Sequence, residues 1–415
     1  MIYPRKLPGQ SNDYYRLLWT TLAVLFVLSM VIQPRIAFDG AVMGLKTWWN
    51  IVFPSLLPFF IASELLMSFG VVHFMGVLLE PVMRPLFNVP GAGSFVMAVG
   101  FSSGYPIGSM VTARLRSQGL CTRVEAERLM SFTNNSSPLF MLVAVAVGMF
   151  NNPALGWIIA GAHYLSNITL GFILRFHARN DVERIPEPSA KSSGLIGHAF
   201  RQLLQVQRQD NRPLGKIIGD AVRNAVTNLL NIGGFIILFA VIIKMLTAAG
   251  FINSLASCLG VFLLPLGFSP EILPALASGF FEMTIGSKLA SETTVPLLQQ
   301  VVAVGMILAW SGLSVHAQAA SMISDTDIRM HPFIITRVAH CFLAGLYSYI
   351  IFQLCSPLEP ATAAMATVAK WQNFSFIMFN LKLFGLFIIS LVIIILIALM
   401  LNLVSNIKIL TWKNK

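Results

Sequence analysis

The chain has 415 residues, of which 56% are hydrophobic and only 11% charged, and its mean hydropathy is +0.75. A soluble domain carries roughly 25% charged residues, so a soluble enzyme, a disordered chain and a small disulfide scaffold are excluded. Apolar runs near the length of one bilayer crossing recur throughout, so the composition is that of a polytopic all-α membrane protein.

In chain order, residues 1–40 hold a tail with Arg5, Lys6 and Arg16 and a first span over 17–33. That span reads as retained, because Gln33-Pro34-Arg35 follows it in place of a small-residue cleavage site. Residues 41–176 form a first unit with spans over 48–70, 131–150 and 153–176 and a broken apolar segment over 91–117. Residues 177–223 form a basic linker, loop-like near Pro186 and Pro188 and amphipathic from about 195 to 223. Residues 224–355 form a second unit with spans over 224–250, 296–323 and 332–355 and a broken segment over 269–295. Residues 356–415 hold an outer loop, a last span over 381–407 and a tail with Lys408, Lys413 and Lys415.

About eight transmembrane helices place both basic tails on one side, the cytoplasmic side by the positive-inside rule. The net charge of +11 is explained by that rule and does not point to nucleic acid. Arg114, Arg116, Arg123 and Arg128 and the many basic residues of the linker fall inside, with Arg84, Arg329 and Arg337 at the inner face. Arg35, Lys46, Lys370 and Lys382 fall outside. Arg123, Glu125, Glu127 and Arg128 read as a solvated interfacial helix. Cys121, Cys258, Cys341 and Cys355 have no metal-ligand or CxxC spacing and read as small hydrophobes.

The two broken segments resemble each other. Gly100-Phe101-Ser102-Ser103-Gly104-Tyr105-Pro106-Ile107-Gly108-Ser109 is echoed by Gly279-Phe280-Phe281-Glu282-Met283-Thr284-Ile285-Gly286-Ser287. Each is too interrupted for one lipid-facing helix, and a re-entrant hairpin shielded from lipid fits instead. The span after each hairpin is itself interrupted, at Asn134-Asn135-Ser136-Ser137-Pro138 and at Ser311-Gly312-Leu313-Ser314. The charge map starts one unit outside and the other inside, so the expectation is two inverted-topology repeats. Paired discontinuous helices in inverted repeats mark the binding site of a secondary transporter.

A helix that stops within a membrane exposes unpaired N–H groups and a positive dipole end. Ser102, Ser103, Ser109, Asn134, Asn135, Ser136, Ser137, Thr284, Ser287, Ser311 and Ser314 are candidates to supply polar groups to a solute, and Tyr105 and Phe281 to stack on a planar one. Each serine or glycine taken alone reads as a packing residue, whereas four polar breaks at matching positions read as a site. Glu282 and Lys288 stand in an otherwise uncharged stretch. Lys288 is a candidate partner for a substrate carboxylate and Glu282 for a coupling cation or proton; a mutual structural pair is the alternative. His316 is a proton relay or a buried donor to a backbone carbonyl. Phosphate-loop, HExxH and GxSxG patterns are absent, so ATP hydrolysis and the common hydrolase chemistries are not expected. No cofactor is called for, and a coupling proton or sodium ion is left open.

Gly104-Tyr105-Pro106-Ile107-Gly108-Ser109, with Glu125-Ala126-Glu127-Arg128-Leu129 and Ser131-Phe132-Thr133-Asn134-Asn135-Ser136-Ser137-Pro138-Leu139-Phe140, resembles the YlbJ-type sporulation integral membrane proteins of the nucleoside-recognition, or Gate, group. The resemblance covers roughly residues 45–355. It implies a multi-pass protein of the cell membrane or outer forespore membrane of a spore-forming bacterium, moving dipicolinic acid from mother cell toward forespore. It also implies a layout similar to concentrative nucleoside transporters, with Ser102–Tyr105 and Phe281–Thr284 at hairpin tips and Asn134–Ser137 and Ser311–Ser314 in unwound turns. Partners are then a small solute and the bilayer. A nucleoside or other metabolite permease of the same fold and a non-transporting sporulation scaffold remain as alternatives.

Overall fold

The computed structural model describes residues 13–178, 183 and 195–355. The span expected over 381–407 and the C-terminal tail lie outside the described residues. Among the described residues every regular element is helical. Five helices are long and apolar enough to cross a membrane: Pro34–Ser68, Ala154–Leu174, Leu214–Ala248, Leu297–Ile323 and Met330–Cys355. The polarity of the molecule is inverted relative to a soluble protein. Leu354 is 80% and Ile32 76% exposed, whereas Arg337, His163, His340, Asn134 and Asn167 are fully buried. An apolar exterior around a polar interior suits lipid, where backbone and side-chain polar groups must be satisfied internally.

The first half comprises α1 (Asp13–Ile32), α2 (Pro34–Ser68), α3 (Val71–Val82), α4 (Gly93–Ser103), α5 (Ile107–Ser117), α6 (Arg123–Thr133), a π-helical α7 (Phe140–Met149) and α8 (Ala154–Leu174). After α9 (Leu195–Gln209), the second half comprises α10 (Leu214–Ala248), α11 (Phe251–Leu263), α12 (Leu273–Phe281), α13 (Met283–Ser291), α14 (Leu297–Trp310), α15 (Gly312–Ile323) and α16 (Met330–Cys355). A long helix, a connector, a pair of short helices, an interrupted helix and a closing helix thus occur twice in the same order, over α2–α8 and α10–α16.

The two leading helices pack on each other antiparallel. Gly40 faces Val241 and Lys244, Gly44 faces Ile237 and Ala240, and Trp48 lies against Gly233. The Trp48 indole donates to Leu229 O at 2.9 Å, and farther along the Asn224 amide donates to Glu64 at 3.0 Å. A Cβ on Gly44 would lie 2.8 Å from Ile237 Cα. The glycine is therefore what allows the two backbones to approach so closely.

Both long helices start earlier than hydropathy indicated. Proline suits a helix start, where no intrahelical N–H bond is lost; Pro34 opens α2 and Pro213 caps α10. The extra turns are held by contact, with Ala37, Ile217 and Ala221 buried. The amphipathic α9 ends at Gln209, before a turn in which the Arg212 guanidinium donates to Asp210 at 2.8 and 2.6 Å. Those hydrogen bonds hold the Asp210 carboxyl down at about 2.

The charged run 123–128 is not a solvated helix. Every residue of α6 from Val124 to Thr133 is buried. The helix opens with a capping box: Thr122 accepts from Glu125 N at 3.2 Å and Glu125 accepts from Thr122 N at 2.8 Å. Arg84 donates to Glu125. Arg329, from the second half, donates to Glu127 at 2.7 and 3.0 Å. Arg128 donates to Asn88 O at 2.7 Å and to His177 O. Since α6 is the first arm of an interrupted helix, it packs inside against α5, α8 and α16, and its charges are kept by partners rather than by water. Nearby, Arg116 donates to Asp327 at 2.9 and 2.8 Å and to Glu183 at 2.7 Å. The hydrogen bond from Arg116 is the main cause that holds the Asp327 carboxyl below its usual range.

Candidate functional site

Each hairpin turn docks on the interruption of the following helix in its own half. Between α4 and α5 the chain turns at Gly104, whose φ of +82° favours glycine. A Cβ on Gly108 would lie 2.6 Å from Thr133 O and 2.8 Å from Asn134 Cα, and one on Gly104 would lie 2.9 Å from Ser137 N. Between α12 and α13 the turn is the single extended residue Glu282, at φ −147° and ψ 123°. It meets the α14–α15 interruption, where Ser311 and Gly312 adopt φ +72° and +77°. A Cβ on Gly312 would lie 3.0 Å from both Glu282 Cα and Phe281 O.

Tyr105 joins the halves. Its hydroxyl donates to Leu308 O in the last turn of α14 at 3.2 Å and accepts from Arg337 Nη1 at 3.3 Å. Three of the four interruptions and the first turn of α15, just past the fourth, border one pocket. Its lining includes Ser103, Gly104 and Tyr105 from the first turn, Ser136 and Ser137 from the first break, Glu282 and Thr284 from the second turn and Ser314 beside the second break. Apolar walls come from Leu56 and Phe60 of α2, Phe140 of α7 and Phe235 of α10. The cavity itself is small, about 50 Å³, and it opens to the outside. The hydroxyl oxygens of Ser103, Ser136 and Ser314 are buried without a protein partner. Buried polar groups are ordinarily bonded, so these three hold unspent hydrogen-bonding capacity beside the pocket.

The other sequence candidates stand farther back. Asn134 and Asn135 are buried behind the pocket; Asn134 Oδ1 accepts from Ser109 N at 3.4 Å, and the Asn135 amide donates to Phe132 O at 2.9 Å. Ser311 holds the second break, also buried, and Ser287 is buried within α13. Ser102 donates to Ala98 O at 2.8 Å within its own helix. Phe281 packs on Phe251 and Phe280. Lys288 is turned away from the pocket to Glu292 at 2.6 Å, in an outer cleft with Asp39 and Lys46. It does not pair with Glu282, whose carboxylate instead accepts from Ile285 N at 2.7 Å and caps α13. His316 bonds Gly312 O through Nδ1 at 2.7 Å and is flanked by Trp310 and Phe333.

Three buried groups escaped the sequence reading. Arg337 is not at the inner face but lies in the core, where it donates to Ser131 O, to Asn134 O at 3.2 Å and to Asn167 Oδ1 at 3.5 Å. It thus satisfies carbonyls that α6 leaves free at its C-terminal end, and it lies over the Phe333 ring at 5.2 Å. His163 Nε2 accepts from Ser136 N at 3.3 Å. His340 packs on His163 with ring centroids 4.6 Å apart. The usable sign was spacing: His163 and Asn167 are one turn apart in α8, as are Arg337 and His340 in α16, so each pair shares a helix face.

Comparison with known proteins places this architecture. The sporulation integral membrane protein YlbJ of Bacillus subtilis (strain 168) is 47% identical over 343 residues, which cover 81% of this chain and 82% of that protein. The chain belongs to the YlbJ family of sporulation integral membrane proteins. The Gate family, described as nucleoside recognition, matches residues 50–153 of this YlbJ-family chain, a range that holds the first hairpin and first interruption. An uncharacterised protein of Alkalihalophilus pseudofirmus, BpOF4_10220, is 31% identical over 97 residues, covering 22% of this chain and 21% of its own. Among solved structures, a CNTnw variant in an intermediate state matches with a TM-score of 0.52 at 13% identity, covering 81% of this chain and 87% of that one. At that identity the shared property is the fold. The YlbJ-family protein is thus an integral membrane protein with a transporter-like helical architecture.

Proposed function

We propose that this protein is a secondary transporter that moves a small planar anion, dipicolinate, across the outer forespore membrane during sporulation. In this reading both termini are cytoplasmic, 91–117 and 269–295 are re-entrant hairpins, and the two halves are inverted repeats. The observation that carries it is one pocket bordered by three helix interruptions and the first turn of α15, with serine and glutamate side chains in its lining, inside an apolar exterior. The N-terminus of α15 has no side-chain cap, and such an end favours a carboxylate. The free hydroxyls of Ser103, Ser136 and Ser314 supply donors, and the rings of Tyr105 and Phe140 supply flat walls. Arg337 adds positive charge behind Tyr105. The Glu282 carboxylate opposes an anion, but its bond to Ile285 N directs it to the start of α13.

The test is uptake of labelled dipicolinate by vesicles containing the purified protein, without ATP. Uptake above empty vesicles is expected; none under any imposed ion gradient would overturn the reading. The Gate match supplies the second reading, a nucleoside permease of the same fold. Nucleosides that compete out dipicolinate, and are themselves taken up faster, would favour it.

A further inference from the structure

The pair His163–His340 lies behind the pocket and is given no task by solute binding. Its bonding specifies how protons are arranged there. Ser136 N–H donates to His163 Nε2 at 3.3 Å, so that nitrogen carries a lone pair and the ring's proton sits on Nδ1, which is buried without a partner. His340 presents Nε2 to His163 O at 3.1 Å, so its proton sits there and Nδ1, buried without a partner, keeps a lone pair. That lone pair is the open proton-accepting position of the pair.

Arg337, one turn away on α16, puts a like charge beside the pair. Tyr164 stands against His163 with centroids 5.7 Å apart, and the Tyr105 hydroxyl, on the pocket side, bonds Arg337. The segments α7 and α14, which pack on α8, carry no ionisable residue. On α6, Glu125 and Glu127 are engaged by Arg84 and Arg329, and Arg123 lies near Glu127 while Arg128 bonds backbone carbonyls. Among the described residues no carboxylate bonds the pair to offset Arg337. An anion entering beside Tyr105 and Ser136 supplies the missing negative charge.

We infer that His163 and His340 form a proton-binding site, His340 being the residue that gains the proton, and that solute anion and proton bind together. The inference rests on the transport reading above. The connection between the two ligands is Ser136: its hydroxyl lines the pocket and its backbone N–H is held by His163. Charge gained by His340 lies against the His163 ring, 4.6 Å away between centroids, and so acts on the residue that holds that turn of the break.

The experiment uses vesicles loaded with a pH-reporting dye, with membrane voltage clamped at zero by potassium and valinomycin. Under one unit of pH gradient, acid outside, one proton per solute supports about tenfold accumulation of dipicolinate. Wild-type protein is expected to approach that ratio, with proton entry that follows dipicolinate addition. H340Q, checked for monodispersity and thermal unfolding in detergent, is expected to lose both the accumulation and the dye response. Wild-type uptake that equilibrates without responding to the pH gradient overturns the proton site and leaves the transporter intact. So does an H340Q variant that still accumulates tenfold. Wild-type vesicles that take up no dipicolinate at all overturn the transport reading, and this inference with it.

Discussion

Replacing Arg337 with methionine isolates its role as the terminus of α6. The side chain is fully buried and donates to Ser131 O, Asn134 O, Asn167 and Tyr105. Two opposing effects decide the outcome. Removing a buried guanidinium recovers its desolvation cost, and a well-packed apolar substitute is sometimes neutral or stabilising when a whole buried ion pair is replaced. Here only one side is replaced, and two backbone carbonyls stay behind in an apolar interior. Each lost partner costs about 1–3 kcal/mol, so R337M is expected to be destabilised by about 2–6 kcal/mol. Lysine places one compact ammonium where a planar fork met several acceptors, so R337K is expected to recover only part. Thermal or denaturant unfolding of the purified proteins in detergent measures both. An R337M protein as stable as wild type would refute the idea that this arginine holds the first interruption open.

Gly108→Ala drives a Cβ into Thr133 O and Asn134 Cα; the expected overpacking loss is about 1–3 kcal/mol. Gly219→Ala in α10 meets nothing within 4 Å and is expected to be neutral or to gain up to ~1 kcal/mol; equal melting of the two variants would contradict the docking of hairpin on break. Glu282→Ala removes the cap on α13 at a cost of about 0.5–2 kcal/mol, whereas Glu282→Gln retains an acceptor for Ile285 N and is expected to lose less in the same unfolding assay. Asp327 has its carboxyl held below the usual range by Arg116. Its contribution is therefore complete near neutral pH and disappears as pH falls through that lowered value. The stability gap between wild type and D327N should shrink on acidification, and a gap independent of pH would contradict the pairing.

The broad architecture was legible because it rests on length, hydropathy and interruption. The paired Gly-Phe and Ile-Gly-Ser segments fall on the two pairs of short helices, and of the first break Ser136 and Ser137 line the pocket while Asn134 and Asn135 stand behind it. Helix ends were misjudged where tertiary contact outweighs hydropathy, as at Pro34 and Leu214. The burial of Glu127 was not legible, since a charge reads as solvated until its partner is known, and Arg329 lies 202 residues away. Arg337 was placed at the membrane face because an arginine near the end of an apolar run is more often there. Only the free carbonyls of α6, which no sequence displays, explain its position. Lys288 was read as a partner for a substrate carboxylate and Glu282 for a cation or proton, with a mutual pair as the alternative. Helix geometry separates them: one caps the start of α13 and the other reaches Glu292 one turn on.

The cap on the first interruption has a consequence for how the protein is made. The carbonyl of Asn134 waits for a guanidinium synthesised 203 residues later, and Glu127 waits nearly as long for Arg329. During synthesis the early half therefore enters the bilayer with its most polar backbone unprovided for, and with Glu127 near only Arg123 and His177 of its own half. That half does not complete its own interior, since Ser131 O and Asn134 O are met by Arg337 of α16. Its insertion is provisional until α16 arrives, which ties the birth order of the two halves to the quality of the finished interior.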